Sequence, residues 1–181
     1  NYSINCETTG GNPIYLDANG VTIRAYDWSN VGDKGIIDGV EYTIVDEATL
    51  RQMISNDEDV TKVVTSKVTD MNSLFESKED FNQNIAIWDT SNVTNMNSMF
   101  RNSYSFNQDI GNWNVSNVTN MSRMFSSRTN TKRTPFNKDI SNWNVSSVTD
   151  MSFMFLYSDF NKDISNWNVS SVTDMSAMFN G

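Results

Sequence analysis

The sequence contains no histidine and only one cysteine, Cys6, among its 181 residues. Without histidine the chain lacks the most common general base and the most common metal ligand, which excludes imidazole-based catalytic triads and zinc sites. A lone cysteine cannot form an internal disulfide bond, so it does not indicate the redox compartment, and we assign Cys6 no function. We therefore expect no catalytic residues, no metal site and no cofactor.

Basic residues are also scarce. The chain has 13 basic and 22 acidic residues, a net charge of −9. This field repels phosphate backbones and anionic membranes, so nucleic acid is not an expected partner. No apolar run approaches the roughly 18 residues needed to cross a bilayer, and the first residues do not resemble a signal peptide. We expect no membrane insertion in this segment, and any targeting signal to have been removed or never included.

Repetition dominates what is present. The seventeen residues FNKDISNWNVSSVTDMS occur identically at 136–152 and 160–176. Further copies begin at Phe106 and Phe81, and a weaker one begins near Val60. Successive phenylalanines at 81, 106, 136 and 160 lie 25, 30 and 24 residues apart. This spacing predicts a stacked repeat array of five units.

The pattern changes within one unit. Residues 112–116 alternate polar and apolar side chains, which predicts a short strand with Trp113 and Val115 on one face. Val118, Met121 and Met124 then step by three, which favours a short helical or 3₁₀ turn. Since one coil cannot enclose a core, neighbouring coils are expected to stack. The predicted fold class is an α/β solenoid of parallel strands and short helical turns.

The repeat pattern I-x-x-W-x-V-x-x-V-x-x-M-x-x-M-F is similar to that of the BspA-like subgroup of leucine-rich-repeat surface proteins. The similarity covers residues 60–181, about two thirds of the chain. It implies leucine-rich-repeat-like coils with W-N-V in the strand and M-F in the convex turn. It also implies a secreted or cell-surface protein used for adhesion and partner binding rather than catalysis, without naming a ligand.

Residues 1–58 do not repeat. Asn19-Gly20 and Asp38-Gly39 each lie between apolar segments and predict two β-hairpins. Asp46 is a suitable N-cap for a helix over residues 47–55. We expect residues 1–58 to form a β-rich N-terminal cap with a capping helix, and residues 59–181 to form the five-unit solenoid. No cap follows the last repeat, so the natural protein is expected to continue beyond Gly181 or to have been trimmed.

An outward-facing polar row is the predicted binding surface. With tryptophan and valine pointing inward, the concave sheet would present a ladder of amides and hydroxyls to a glycan or a protein. Alternatively, the asparagines pair with one another and only keep the sheet soluble. The opposite register would expose a tryptophan stripe but would bury amides. The predicted ligand-binding residues are Asp89, Asn112, Asn114, Asn142, Asn144, Asn166 and Asn168.

For two other residue columns and one insertion, the sequence leaves more than one role open. A threonine column, one per coil, resembles ice-binding faces but also suits turns. Asp109, Asp139 and Asp163 form a column that could bind calcium or serve as turn residues. The insertion after Phe125 carries the basic side chains Arg128, Lys132 and Arg133, which either contact a partner or form a solvated loop. We predict these three as tentative loop contacts.

The repeat pattern and the location that the BspA-like resemblance implies together predict a non-enzymatic module, secreted or displayed on the cell surface, that recognises a protein or glycan through the concave Asn/Ser ladder. One alternative is a structural spacer within a longer adhesin, whose contacts are made by other domains. Another is an ice-binding solenoid. The sequence leaves the oligomeric state open.

Overall fold

The computed structural model describes residues 11–181, and Cys6 lies outside them. Two antiparallel strands, β1 (Ile14–Leu16) and β2 (Ile23–Ala25), form a small sheet. In a second sheet β3 (Lys34–Ile37) pairs antiparallel with β4 (Val40–Ile44), and β4 pairs in parallel with β5 (Val63–Val64). One helix, α1 (Glu47–Ser55), connects β4 to β5.

Both predicted hairpins are confirmed. Asp38 and Gly39 join β3 to β4 with φ values of 50° and 79°, the left-handed pair of a type I′ turn. The connection between β1 and β2 is longer and spans residues 17–22. There the Asn19 Oδ1 accepts the backbone N–H of Val21 and of Thr22, both at 2.9 Å. Asparagine side chains therefore shape the chain from its first loop.

The helix α1 begins and ends where the sequence predicts. The Asp46 carboxylate accepts the Thr49 N–H at 2.8 Å and so satisfies one of the free donors of the first turn. Leu50 and Ile54 are buried against the apolar core of the repeats. One face of α1 thus covers the beginning of the repeat region.

The predicted fold class, an α/β solenoid of leucine-rich-repeat-like coils, is wrong. Apart from β5, the repeats within residues 11–181 contain neither a strand nor a helix, only turns and single parallel bridges such as the one between Asn95 and Asn120. The expected strand over residues 112–116 fails because the Asn114 Oδ1 accepts the Ser116 N–H at 3.1 Å. That bond bends the chain into a turn, as asparagine commonly does.

The expected helical turn is also wrong. The Met124 N–H donates to the Met121 carbonyl at 3.2 Å, which closes a four-residue turn. Arg123, its third residue, has a φ of 58°, and this left-handed conformation stops a helix and defines a type II turn. Positive φ recurs at the matching position of the other copies, at Ser73, Ser98, Phe153 and Ala177. Apolar residues three positions apart occur both in such a turn and in a 3₁₀ helix, so this spacing does not distinguish the two.

Successive copies nevertheless stack in register. The N–H groups of Met121 and Phe125 donate to carbonyls of the next copy, each at 2.9 Å. The indoles of Trp88 and Trp113 stack with ring centroids 6.4 Å apart and planes within 1°. The predicted burial of the repeat tryptophans is confirmed, and the alternative register with an exposed stripe is wrong for all four, Trp88, Trp113, Trp143 and Trp167.

The proposed division at residue 58 stays a prediction. β4 and β5 lie on either side of it and belong to one sheet. Ile44 of β4 and Val64 of β5 also share a small apolar cluster with Ile14 and Ile23 of the first sheet. The N-terminal hairpins are therefore attached to the first repeat by both hydrogen bonds and apolar packing.

Candidate functional site

The predicted asparagine ladder is not a sheet surface. The Oδ1 atoms of Asn114, Asn144 and Asn168 accept the N–H of the serine two residues on, at 3.1, 3.2 and 3.2 Å. All three side chains are exposed, and their Nδ2 groups have no acceptor within residues 11–181. One half of each amide therefore builds the turn, and the other half faces solvent.

The remaining predicted asparagines differ from one another. Asn142 and Asn166 are exposed and make no side-chain hydrogen bond within the described part of the chain. Asn112 is half-buried and donates to the Ala86 carbonyl at 2.9 Å and to the Thr22 Oγ1 at 3.3 Å. Asn112 thus connects a repeat to the N-terminal hairpin, and its amide is not available to a ligand.

Asp89, also predicted to contact a ligand, is buried and only 2% exposed. Its carboxylate accepts hydrogen bonds from Ser66 Oγ at 2.6 Å, from Ser91 Oγ at 2.6 Å and from Arg24 Nε at 3.2 Å. Burial alone lowers the pKa of Arg24, but the charge of Asp89 and the hydrogen bond to Asp17 raise it overall. Asp89 is therefore an anchor between β2 and the repeats.

The basic insertion folds back onto other copies of the repeat. Arg128 lies 3.6 Å from Glu76, and Arg133 lies 2.7 Å from Asp159. Lys132 pairs with Glu79 at 2.6 Å, and its Nζ also lies 3.9 Å above the Tyr104 ring. All three predicted loop contacts therefore have acidic partners inside the protein, although the pairs are partly exposed.

The acidic column forms turns. The carboxylates of Asp109, Asp139 and Asp163 accept the N–H two residues on at 3.1, 2.9 and 2.9 Å. The backbone hydrogen bond from the serine lowers the pKa of Asp139 and of Asp163. Asn84 makes the same turn without a charge, at 3.1 Å. Residues 11–181 contain no group of three or more Cys, Asp or Glu side chains that could hold a metal ion.

The threonine column bonds internally. The Oγ1 of Thr119 donates to the Thr94 carbonyl at 3.1 Å, and that of Thr149 donates to the Thr119 carbonyl at 3.1 Å. Each of these hydroxyls donates its hydrogen bond within the protein, so the threonine column has few free donors for an ice surface.

Sequence reasoning missed a groove on the N-terminal hairpins. Its volume is about 680 Å³. Its walls are mostly apolar and aromatic, and they come from the segment before β1, from β1, from β3 and from the segment after β2. The lining residues are Gly11, Asn12, Ile14, Tyr15, Leu16, Tyr26, Trp28 and Ile37.

Three aromatic rings line one side of this groove. Trp28, 55% exposed, stacks on Tyr26 with centroids 5.8 Å apart and planes inclined by 12°. Tyr26 in turn lies 4.6 Å from the Tyr15 ring. Neither tyrosine hydroxyl has a hydrogen-bond partner within residues 11–181. The sequence did contain a signal, because Trp28 is the one tryptophan of five outside the repeats.

The aromatic side of the groove is held by backbone bonds. The Tyr26 N–H donates to the Pro13 carbonyl at 3.0 Å, and the Ser29 N–H and Oγ both donate to the Tyr26 carbonyl, at 3.0 and 2.6 Å. Opposite, the Asn12 side chain donates to and accepts from the backbone of Ile36 at 2.8 and 3.1 Å. A surface fixed in this way loses little conformational entropy when a ligand binds.

In the described residues no helix has the length and apolar character required to cross a membrane.

Comparison with known proteins gives one family. No curated protein and no solved structure matches the chain. A family described as "Mycoplasma protein of unknown function, DUF285" matches residues 46–134 and 128–181, about three quarters of the chain, but not the aromatic groove. The match does not confirm the BspA-like resemblance, and the chain belongs to the DUF285 family.

Proposed function

We propose that the protein is a non-enzymatic binding module, secreted or displayed on the cell surface, that recognises a neutral glycan. The observation that carries this proposal is the exposed stack of Tyr26 and Trp28 along a preformed groove. Grooves with mostly apolar, aromatic walls and a few polar groups are the usual form of a small-ligand site. Adhesion to another surface would follow from binding glycans displayed there.

A sugar ring fits the chemistry of this groove. The face of an aromatic ring carries partial negative charge, so it attracts the polarised C–H groups on the apolar face of a pyranose. The hydroxyls of Tyr15 and Tyr26 are available to bond the hydroxyls on the rim of the sugar. The net charge of −9 disfavours binding of an acidic saccharide, so the proposed ligand is a neutral sugar rather than an acidic one.

The repeat pattern supports the proposed extracellular or cell-surface location. Its similarity to BspA-like surface proteins, carried by the W-x-V and M-x-x-M-F segments, favours an extracellular or cell-surface protein. The exposed amide row of Asn114, Asn144 and Asn168 belongs to the binding surface that the sequence predicted. We favour the aromatic groove because the amide oxygens of that row already bond backbone N–H groups.

Tryptophan fluorescence can test the proposal directly. Trp28 is the exposed tryptophan, and the other four are at most 7% exposed, so a ligand in the groove should change the emission of Trp28 alone. The full chain would be screened against arrays of neutral glycans and of extracellular proteins. We expect saturable binding to a neutral glycan, a shift in emission, and loss of binding in Trp28→Ala.

The matched control is Phe179→Ala, since Phe179 is equally exposed at 55% but lies at the far end of the repeats. This variant should bind the glycan normally. A chain beginning at Gly11 separates the groove from any contribution of residues 1–10. If Trp28→Ala binds normally while the triple replacement of Asn114, Asn144 and Asn168 by threonine does not, the amide row is the site. If no array gives a ligand, the structural spacer is favoured.

A further inference from the structure

The aromatic groove follows one edge of the small sheet formed by β1 and β2. Tyr15 and Tyr26 lie on one face of this sheet, where their rings are 4.6 Å apart. Ile14 and Leu16 lie on the other face, because neighbouring residues of a strand point to opposite sides. All four residues line the groove, so it passes around an edge of the sheet. The outer edge of β2 already bonds the repeats twice, each time at 2.9 Å, so the groove runs along β1.

The register of the two strands leaves polar backbone groups on this edge of β1. The Asp17 N–H donates to the Thr22 carbonyl at 2.8 Å, which makes these two residues a hydrogen-bonded pair of the antiparallel ladder. Bonded and non-bonded pairs alternate along such a ladder, so the N–H and carbonyl of Leu16 point away from β2. Neither group has a hydrogen-bond partner within residues 11–181.

Leu16 offers the backbone groups that a ligand can reach. It is 42% exposed, whereas Ile14, the next residue with outward-pointing backbone groups, is 1% exposed. The amide of Asn12, another lining side chain, already bonds the backbone of Ile36 at 2.8 and 3.1 Å. A ligand that covers the Leu16 N–H without supplying an acceptor leaves a buried donor unpaired, which costs free energy. The ligand should therefore bring an acceptor to this point.

The other lining groups restrict the kind of acceptor. Among the described residues no charged side chain lines the groove, so nothing there balances a sugar acid or a charged amino sugar. The hydroxyls of Tyr15 and Tyr26 can donate or accept, as the ligand requires. Among neutral sugars, the strongest acceptor is the carbonyl oxygen of an acetamido group. Its methyl group also suits the apolar side chains of Leu16 and Ile37, which line the groove as well.

We propose that the neutral glycan contains an N-acetylated hexosamine, and that its acetamido carbonyl accepts a hydrogen bond from the Leu16 N–H. The inference rests on the proposed function and specifies the ligand of the same groove. The sugar ring lies on the stacked rings of Tyr26 and Trp28, and the acetamido group reaches the edge of β1. Preference for an acetamido group is therefore set by a backbone group rather than by a side chain.

An extended peptide suits this edge less well. A peptide that adds to a sheet pairs with free N–H and carbonyl groups on several alternate residues. β1 is three residues long, and of its two residues with outward-pointing groups Ile14 is buried. A single reachable N–H, on Leu16, matches one amide group of a sugar better than a strand.

Matched disaccharides test the proposal in the full chain. N-acetyllactosamine and lactose differ only by an acetamido group in place of a hydroxyl, and N,N′-diacetylchitobiose and cellobiose differ by two such groups. Binding is followed by the emission of Trp28. In at least one pair we expect the acetamido sugar to bind about tenfold or more tightly than its partner. In the isotope-labelled chain, that sugar should slow exchange of the Leu16 amide by at least about tenfold.

Two variants separate the backbone donor from the side chain. Leu16→Pro removes the N–H, and proline is tolerated where the N–H of an edge strand points away from the sheet. We expect this variant to lose the preference for the acetamido sugar while it still binds the unacetylated one. Leu16→Ala keeps the N–H and should keep the preference. If Leu16→Pro does not fold, exchange of the Leu16 amide in the wild type decides the question.

The outcomes distinguish this proposal from the proposed function. It is overturned, with glycan binding intact, if neither acetamido sugar binds more tightly than its partner while a neutral glycan still shifts the Trp28 emission. It is also overturned if a blocked, neutral peptide of threonine and valine protects the Leu16 amide as well as the acetamido sugar does. If no neutral glycan changes the Trp28 emission, the proposed function fails and this proposal fails with it.

Discussion

Asn120, Asp150 and Asp174 occupy the same position in three successive copies, and each accepts the N–H two residues further on, at 2.9, 2.9 and 2.8 Å. The same bond recurs at two other corners of the four later repeats, for example at Asp139 and Asn144. The abundance of asparagine and aspartate in the repeats is therefore explained by turn formation. The sequence suggested turns for the aspartates, but it did not show that the amides of the predicted ladder have the same role.

Replacing Asn120 with alanine tests this role. The substitution removes the acceptor for the Ser122 N–H at 2.9 Å and for its Oγ at 2.7 Å. We expect the free energy of unfolding to fall by about 1 kcal/mol, measured by urea denaturation. Asn120→Asp is the matched control, because Asp150 already performs the same task one copy later. Equal stability of the alanine variant and the wild type would contradict the account.

The charged turns make stability depend on acid pH. Hydrogen bonds from Ser141, Ser165 and Ser176 lower the pKa of Asp139, Asp163 and Asp174 below the ordinary value of 3.8. Because the folded pKa is the lower one, the stabilisation is present above pH 3.8 and is lost as the pH falls through the folded pKa. The melting temperature should therefore be independent of pH above about pH 5 and should fall below about pH 4.

The triple variant with these three aspartates replaced by asparagine isolates the effect. Asparagine keeps the turn acceptor, as Asn84 does in an earlier copy, but it does not titrate. The melting temperature of the triple variant should decline less steeply below pH 4 than that of the wild type. Identical acid profiles would show that these carboxylates do not contribute.

At the scale of elements, the sequence predicted the N-terminal region better than the repeats. Asp38-Gly39 and the Asp46 cap are local signals that act through two or three residues, so they specify a hairpin and a helix without tertiary context. Alternation over residues 112–116 is weaker, because an Asx-turn leaves the same side chains buried and exposed as a strand does. Apolar periodicity therefore reported burial correctly and backbone conformation incorrectly.

Gly111 gives an element-scale prediction about the contact between copies. A Cβ atom at this position would lie 2.5 Å from the backbone carbonyl oxygen of Asp139 in the next copy. Backbone cannot move aside as a flexible side chain can, so Gly111→Ala should destabilise the protein by about 1–3 kcal/mol in urea unfolding. Ala86 holds the equivalent position one copy earlier, and Ala86→Gly should cost less than about 1 kcal/mol. The reverse order of the two effects would contradict this packing.

At the scale of the whole molecule, an ion pair between a half-buried arginine and a buried aspartate attaches the N-terminal sheet to the repeats. Arg24 on β2 lies 3.2 Å from Asp89, whose side chain is 2% exposed. In later copies the equivalent residues are neutral, as at Asn114 and Asn144, so only the copy beside β2 carries the charge. The sequence showed this departure from the repeat but gave no indication of the partner, which lies 65 residues away.

A double-mutant cycle tests the attachment. Arg24→Met leaves the Asp89 carboxylate buried without its cation, and we expect a loss of about 2–4 kcal/mol in unfolding free energy. Asp89→Asn restores the residue type of the other copies. The double variant should therefore be more stable than Arg24→Met alone, with a coupling energy above about 1 kcal/mol. Additive effects of the two substitutions would mean that the pair does not hold the two parts together.

The central claim is that each copy of the repeat covers the copy before it. Amide hydrogen exchange resolved by residue tests it most directly in the full chain. Met121, Arg123 and Phe125 donate to the next copy at 2.9 Å and should exchange at least about a hundredfold more slowly than Met175, Ala177 and Phe179. Equal exchange rates in the two sets would contradict the stacked arrangement.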